Sequence, residues 1–279
     1  MAGKLGILAG GGELPARLAE TCQQDNRPHF VVALEGHAQP AGFPPGTPLA
    51  SFRMGAAGAI LARLKAEGVT DIVMAGPVRR PSLAELRPDW KAAQFFARIG
   101  AKALGDDGLL RGVVSVLEEE GFRVVGVQEL VADLLTPLEQ LSATGPDATA
   151  VADIAHGVRV ARAIGELDVG QSVVVQQGLV LGVEAIEGTD ALIARCAGLK
   201  RQGPGPVLVK VRKPQQDQRL DMPTIGPVTV RQAAAAGFAG IAAEAGNTLL
   251  LGRDEVRRLA DSMGLFVVGV AGDAGDPKP

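Results

Sequence analysis

Short apolar runs alternate with stretches of helical spacing through the first half of this chain, and that alternation limits the fold more than any other feature. Lys4–Ala9, Phe30–Leu34, Asp71–Ala75 and Phe122–Val127 read as strands. Pro15–Cys22, Gly55–Glu67, Trp90–Leu104 and Asp107–Glu120 read as helices. Strands separated by helices predict a parallel sheet covered on both faces. In such sheets ligands sit at the carboxyl ends of the strands. Gly10–Gly12, Glu35 and Gly76–Arg80 are therefore expected on one rim. The fold class expected is α/β, with a Rossmann-like parallel-sheet domain over residues 1–135.

A composition break at Thr136-Pro137 and Ser142–Asp147 reads as a linker, residues 136–147, into a second α/β domain over 148–279. That domain should open with an Ala-rich helix over Asp147–Ile164. Strands Ser172–Gln176 and Leu179–Glu184 can pair through Gln177-Gly178. A helix over Asp190–Ala197 and a strand over Val207–Val211 follow. Helices from Val230 and Asp254, with strands at Gly240–Glu244 and Leu265–Val270, complete it.

Composition excludes several functions. With eight Phe, one Trp and no Tyr, the core must be built from Ala, Val, Leu and Ile, and base-stacking surfaces are not expected. The net charge of −3 gives no basic field, so nucleic acid is not an expected partner. Cys22 and Cys196 lie far apart and form no CxxC pair; both read as free buried thiols in a reducing cytosol. No signal-peptide layout is expected at the N-terminus. The longest run without Asp, Glu, Lys or Arg, Gly36–Phe52, is broken by Pro and Gly, unlike the ~18 or more apolar residues of a transmembrane helix.

The densest chemistry lies at Lys210–Thr229. Lys210, Arg212, Lys213, Asp217, Arg219 and Asp221 fall within twelve positions, bracketed by Pro214 and Pro223. Two carboxylates among four cations on an irregular loop suit a phosphate held with a divalent cation. A solvated charged turn is the competing reading. Gly10–Gly12 could turn amides toward an anion at a helix N-terminus, but Pro15 stands where a dinucleotide fingerprint needs its third Gly. A plain tight turn explains it equally. Gly76-Pro-Val-Arg-Arg-Pro-Ser82 offers Arg79 and Arg80 to a phosphate or carboxylate, or is an exposed basic turn. In Glu184-Ala-Ile-Glu-Gly-Thr-Asp190, Gly188 and Thr189 could meet phosphate oxygens while Glu187 or Asp190 ligates a cation; Thr189 or Asp190 could instead cap a helix. His29, His37 and His156 form no zinc-ligand spacing, and no nucleophile elbow is present.

Taken together, Gly10-Gly-Gly-Glu-Leu-Pro15, Gly76–Ser82, Glu184–Asp190, Lys213-Pro-Gln-Gln-Asp-Gln-Arg-Leu-Asp-Met-Pro-Thr-Ile-Gly226 and Glu244-Ala-Gly-Asn-Thr-Leu249 span nearly the whole chain in order. In these motifs the chain resembles the bacterial UDP-2,3-diacylglucosamine pyrophosphatases of the LpxI family, which act in lipid A biosynthesis. Leu220-Asp-Met-Pro223 replaces the usual Phe-Asp-Leu-Pro but keeps the Asp and the Pro.

The resemblance implies a two-domain hydrolase that holds its substrate between domains and releases UMP and 2,3-diacylglucosamine 1-phosphate. It implies Mg²⁺ (or Mn²⁺) dependence and an essential aspartate at Asp221. Asp221 is then the leading metal ligand or water-orienting base, Asp217 the second ligand, and Lys213 a phosphate contact. Gly11, Gly12, Gly76, Arg79, Gly188 and Thr189 are the implied substrate contacts. A nucleotide-lipid substrate implies a cytoplasmic protein in peripheral contact with the inner membrane; a homo-oligomer is compatible with the sequence. The alternatives are a nucleotide-dependent oxidoreductase and a non-catalytic sugar-nucleotide sensor.

Overall fold

The computed structural model describes residues 3–79, 88–99, 106–215, 219 and 222–272. Two compact units emerge, Met1–Ala132 with Asp217–Asp221, and Asp133–Gln216 with Met222–Pro279.

In the first unit, β1 (Lys4–Ala9), β2 (His29–Leu34), β3 (Leu49–Phe52), β4 (Val69–Ala75) and β5 (Arg123–Val124) form one sheet in the order β3-β2-β1-β4-β5. Every pairing is parallel. Each connection must therefore cross over, and α1 (Leu14–Gln24), α2 (Ala57–Ala66), α3 (Trp90–Ile99) and α4 (Asp106–Glu119) lie in those connections. Phe30, Val32, Ile60, Leu64, Ile72, Val114 and Leu117 make one buried layer between sheet and helices. Hydrogen bonds from Lys65 and Lys91 hold the Glu120 carboxyl down to about 2 and bind the end of α4 to α2 and α3.

Expectation and structure differ at β3. In the sequence Leu49–Phe52 is only the end of a Pro- and Gly-broken stretch. It is an edge strand whose register, Val31↔Leu49 through Leu34↔Phe52, is set by its neighbour rather than by its own pattern.

The second unit holds a mixed sheet in the order β12-β10-β8-β6-β7. Its strands are β6 (Ser172–Gln176), β7 (Leu179–Val183), β8 (Val207–Lys210), β10 (Gly240–Glu244) and β12 (Phe266–Val270). β8, β10 and β12 are parallel; β6 runs against both β7 and β8. A small pair joins β9 (Thr224–Ile225) to β11 (Leu249–Leu250). Side chains alternate along each strand. Val173, Val175, Val207, Val209 and Ala242 face α5 (Ala148–Glu166). Val174, Leu208, Ile241 and Ala243 face α6 (Gly188–Ala197), α7 (Pro227–Ala235) and α8 (Arg253–Met263). Burial on both faces explains why these strands read as unbroken apolar runs.

The β6–β7 hairpin turns at Gln177 and Gly178, both at positive φ, as the sequence suggested. Asp153, buried inside α5, accepts their amides at 2.8 and 2.6 Å, which locks the turn.

The stretch read as a linker is bound to the second unit. The Thr136 amide donates to Thr248 O, Gln140 bridges Val268, and the Leu141 amide donates to Val267 O. Its Pro, Ser and Gly content marks a segment without regular structure, not a free one. Among the described residues no helix is long and apolar enough to cross a membrane. Cys22 and Cys196 are free and buried, and burial pushes both thiols up.

Candidate functional site

The strand directions gather charge onto one rim of the second sheet. β7, β8, β10 and β12 end there, at Val183, Lys210, Glu244 and Val270, while β6 begins there at Ser172, opposite Lys210. Glu184, Ser172, Lys210 and Glu244 are all buried on this rim. Buried carboxylates and a buried ammonium are costly unless each finds partners, and each does.

Lys210 Nζ donates to Thr189 Oγ1 at 2.8 Å, and Thr189 Oγ1 donates to Glu184 Oε1 at 2.8 Å. The Gln171 amide reaches Glu184 Oε2 at 3.3 Å, and Ser172 Oγ lies 3.4 Å from Thr189 Oγ1. Glu244 collects Asn247 Nδ2 at 3.0 Å, Arg162 Nη2 at 3.3 Å and the Arg212 amide at 2.8 Å. The last bond fixes the backbone where the charged loop leaves β8. One residue on, Lys213 Nζ donates to Asp168 Oδ1 at 2.7 Å. A cleft of about 600 Å³ opens beside Glu244, lined by Thr136, Leu138, Arg162, Asn247 and Gly272 among others.

These contacts qualify several residues named from the sequence. The Thr189 hydroxyl is placed at the rim, but its proton already goes to Glu184 and it accepts from Lys210. The Gly188 amide donates to Ala185 O at 3.3 Å. Glu187 pairs with Arg195 at 2.9 Å, and its own backbone amide together with Arg195 holds its carboxyl below the usual range. Lys213 is on the rim, oriented by Asp168. Asp217 and Asp221 lie outside the described residues, as does Arg80. Arg219 pairs with Glu118 of the first unit at 2.9 Å.

On the first sheet, the loops after β1 and β4 meet backbone to backbone. The Gly10 amide donates to Ala75 O and the Gly11 amide to Pro77 O, each at 2.8 Å. Gly76 has φ +85, and a Cβ there would stand 2.1 Å from Gly11 O. The glycines thus serve close loop packing first, and the Gly11 amide is committed to it. Gly12, Gly76 and Arg79 share this rim.

Glu184, Lys210, Glu244, Arg162 and Asp168 carry the second rim, and sequence reasoning gave none of them a role beyond general charge. Three stand at or just beyond strand ends, so the carboxyl-end rule applied to the second half would have found them. Arg162 and Asp168 carried no signal, because only helix packing brings them to the rim.

Among the described residues no group of three His, Cys, Asp or Glu is arranged to hold a metal. Mg²⁺ needs only one or two carboxylates, with water and substrate phosphate filling its shell. Glu184 and Glu244 are already engaged, so the described rim supplies cations and positioned carboxylates rather than an evident ligand pair.

Comparison with known proteins agrees with this two-part layout. Residues 4–134 match the model of the LpxI N-terminal domain, and residues 137–268 that of the LpxI C-terminal domain. The UDP-2,3-diacylglucosamine pyrophosphatase LpxI of Caulobacter vibrioides (strain ATCC 19089 / CIP 103742 / CB 15) is 42% identical over 274 residues, covering 96% of this chain and 97% of that protein. Among solved structures, CobK precorrin-6A reductase is 12% identical with a TM-score of 0.34, over 97% of this chain and 88% of that one. The Bordetella bronchiseptica enzyme WbmG in complex with NAD is 15% identical with a TM-score of 0.30, over 44% of this chain and 36% of that one. Likeness this low says nothing about chemistry. With both domain models matched in order along almost its whole length, the chain belongs to the LpxI family.

Proposed function

We propose that this protein hydrolyses the pyrophosphate of UDP-2,3-diacylglucosamine, giving UMP and 2,3-diacylglucosamine 1-phosphate for lipid A biosynthesis. The observation that carries the reading is 42% identity across 96% of the chain to a relative bearing that name. The rim chemistry supports it. A pyrophosphate presents two anionic phosphates, and its hydrolysis needs charge neutralised and a water aligned. Lys210 and Lys213 bring cations to one edge of the second sheet, each fixed by a hydrogen-bonded partner.

The reading includes a divalent cation, Mg²⁺ or Mn²⁺, held by Asp221 with Asp217 as second ligand. An oxygen-only donor set suits such hard ions. When bound, the ion would polarise a phosphate oxygen and lower the pKa of water. The chain's own residues would bind and orient: Lys213 at a phosphate, Gly188 through the start of α6, and Gly11, Gly12, Gly76 and Arg79 as the substrate contacts of the first sheet's rim. Asp221 would hold the attacking water in line.

The test is ³¹P NMR of the full chain with UDP-2,3-diacylglucosamine and Mg²⁺, then with EDTA. Two phosphate monoester signals should replace the diphosphate pair, vanish with EDTA and return with added Mg²⁺ or Mn²⁺. An unchanged diphosphate spectrum in Mg²⁺ would refute the hydrolase reading. Full turnover in EDTA would refute the metal alone.

The diacyl substrate also implies a cytoplasmic protein that visits the inner membrane peripherally. Leu138, Leu167 and Ile186 support this. Each is largely exposed, and each lies at the end of the second sheet that bears the charged rim. Apolar side chains around cations suit a shallow lipid contact. Replacing all three by Ser should abolish co-sedimentation with anionic phospholipid vesicles while the melting temperature stays near wild type. Undiminished co-sedimentation would sink this placement.

A further inference from the structure

Lys210 holds a place that fold stability alone does not explain. It ends the central strand β8, is 7% exposed, and pairs by its backbone with Ser172 and Ala243. Its ammonium donates to a hydroxyl, Thr189 Oγ1, at 2.8 Å. The hydroxyl in turn donates to Glu184, 6% exposed, whose other oxygen accepts the Gln171 amide. Burying an ammonium and a carboxylate with a hydroxyl between them is a poor route to stability, since apolar residues of similar volume often serve as well or better. Such an arrangement does fix direction. With one lone pair taken by Lys210 and its proton taken by Glu184, the Thr189 hydroxyl cannot rotate without breaking a bond. The ammonium is thereby held at the carboxyl edge of the sheet.

That edge is where α/β sheets receive ligands. In diphosphate hydrolysis a water oxygen bonds to one phosphorus and the bridging P–O bond breaks. The electron pair leaves on the departing phosphate, and water gives up a proton. Negative charge therefore grows on phosphate oxygens in the transition state, and a preorganised cation is worth most there. We propose that Lys210 is a catalytic cation that neutralises this phosphate charge, and that Thr189 and Glu184 are positioning residues that aim it. This rests on the hydrolase reading above. It also reassigns Thr189, which the sequence suggested as a phosphate contact, to the support of Lys210.

The test measures kcat, KM and melting temperature on UDP-2,3-diacylglucosamine with Mg²⁺ for Lys210→Met, Thr189→Val, Thr189→Ser and Glu184→Gln. Lys210→Met should lose about 10²-fold or more in kcat, with KM changed far less. Thr189→Val and Glu184→Gln should each lose on the order of 10-fold, while Thr189→Ser, which keeps the hydroxyl, should stay within about 3-fold of wild type. A purely structural role would lower melting temperatures and leave kcat per folded molecule unchanged, and that result for Lys210→Met overturns the proposal. If Lys210→Met does not fold, equal kcat for Thr189→Val and Thr189→Ser overturns it instead. A wild-type protein that leaves the substrate intact refutes the hydrolase reading, a failure distinct from active enzyme indifferent to Lys210.

Discussion

Asp221→Asn should lose at least ~10²-fold in kcat while its melting temperature and substrate Kd stay close to those of the parent chain. The substitution keeps size and much of the hydrogen bonding but removes negative charge. If Asp221 holds a cation or orients the attacking water, the loss falls on the transition state rather than on ground-state binding. Asp221→Ala should then be no worse than a few-fold below Asp221→Asn, because the charge is what matters. The competing role is a loop aspartate that only ties neighbouring groups. Arg219, two positions away, pairs with Glu118 at 2.9 Å. Under the structural role both variants would melt early yet turn over normally at low temperature. Measuring kcat, Kd and melting temperature for both variants separates the two.

Gly76→Ala should destabilise the first unit by roughly 2–5 kcal/mol. Its φ of +85 lies in the left-handed region, which costs an L-residue about 1–2 kcal/mol. A Cβ would also stand 2.1 Å from Gly11 O and 3.1 Å from Pro15 Cγ, and relieving such overlap typically costs about 1–3 kcal/mol more. Gly12→Ala is the matched control. Its φ is +75, but the nearest atom to its Cβ would be Pro77 Cδ at 3.6 Å, an ordinary contact. Only the conformational part, about 1–2 kcal/mol, should be lost there. Thermal melting should place Gly76→Ala on the order of 10 °C below the parent chain and Gly12→Ala only about 2–6 °C below it. Equal melting of the two variants would mean that close packing of the loops after β1 and β4 does not matter to the fold. The same comparison asks whether these glycines serve a ligand or the loop. If turnover falls in Gly76→Ala in step with melting, packing suffices.

The strands that drive this fold were legible because each is apolar on both faces. Lys4–Ala9, Ser172–Gln176 and Gly240–Glu244 have the same bounds in sequence and structure, since a strand covered on both sides has little freedom to be anything else. The Gln177-Gly178 turn was legible because a two-residue hairpin needs positive φ at both positions. Leu49–Phe52, Thr224–Ile225 and Leu249–Leu250 were not. Each is short, and its hydrogen bonds come from a distant strand whose register no local pattern encodes.

The site divides in the same way. Sequence alone determined that charge concentrates after β8, that Glu184–Asp190 ends a strand and starts a helix, and that the chain's motifs place it in its family. It could not determine which charges meet. Thr189 accepts from Lys210, 21 positions away, and Glu244 receives Arg162 across 82. Asp168 turns Lys213 across 45. Those pairings exist because parallel strands bring their carboxyl ends to one edge, and because buried charges in a low-dielectric interior must find partners there. Tertiary structure alone therefore decided that the Thr189 hydroxyl serves Lys210 and Glu184, and that the Gly11 amide serves Pro77.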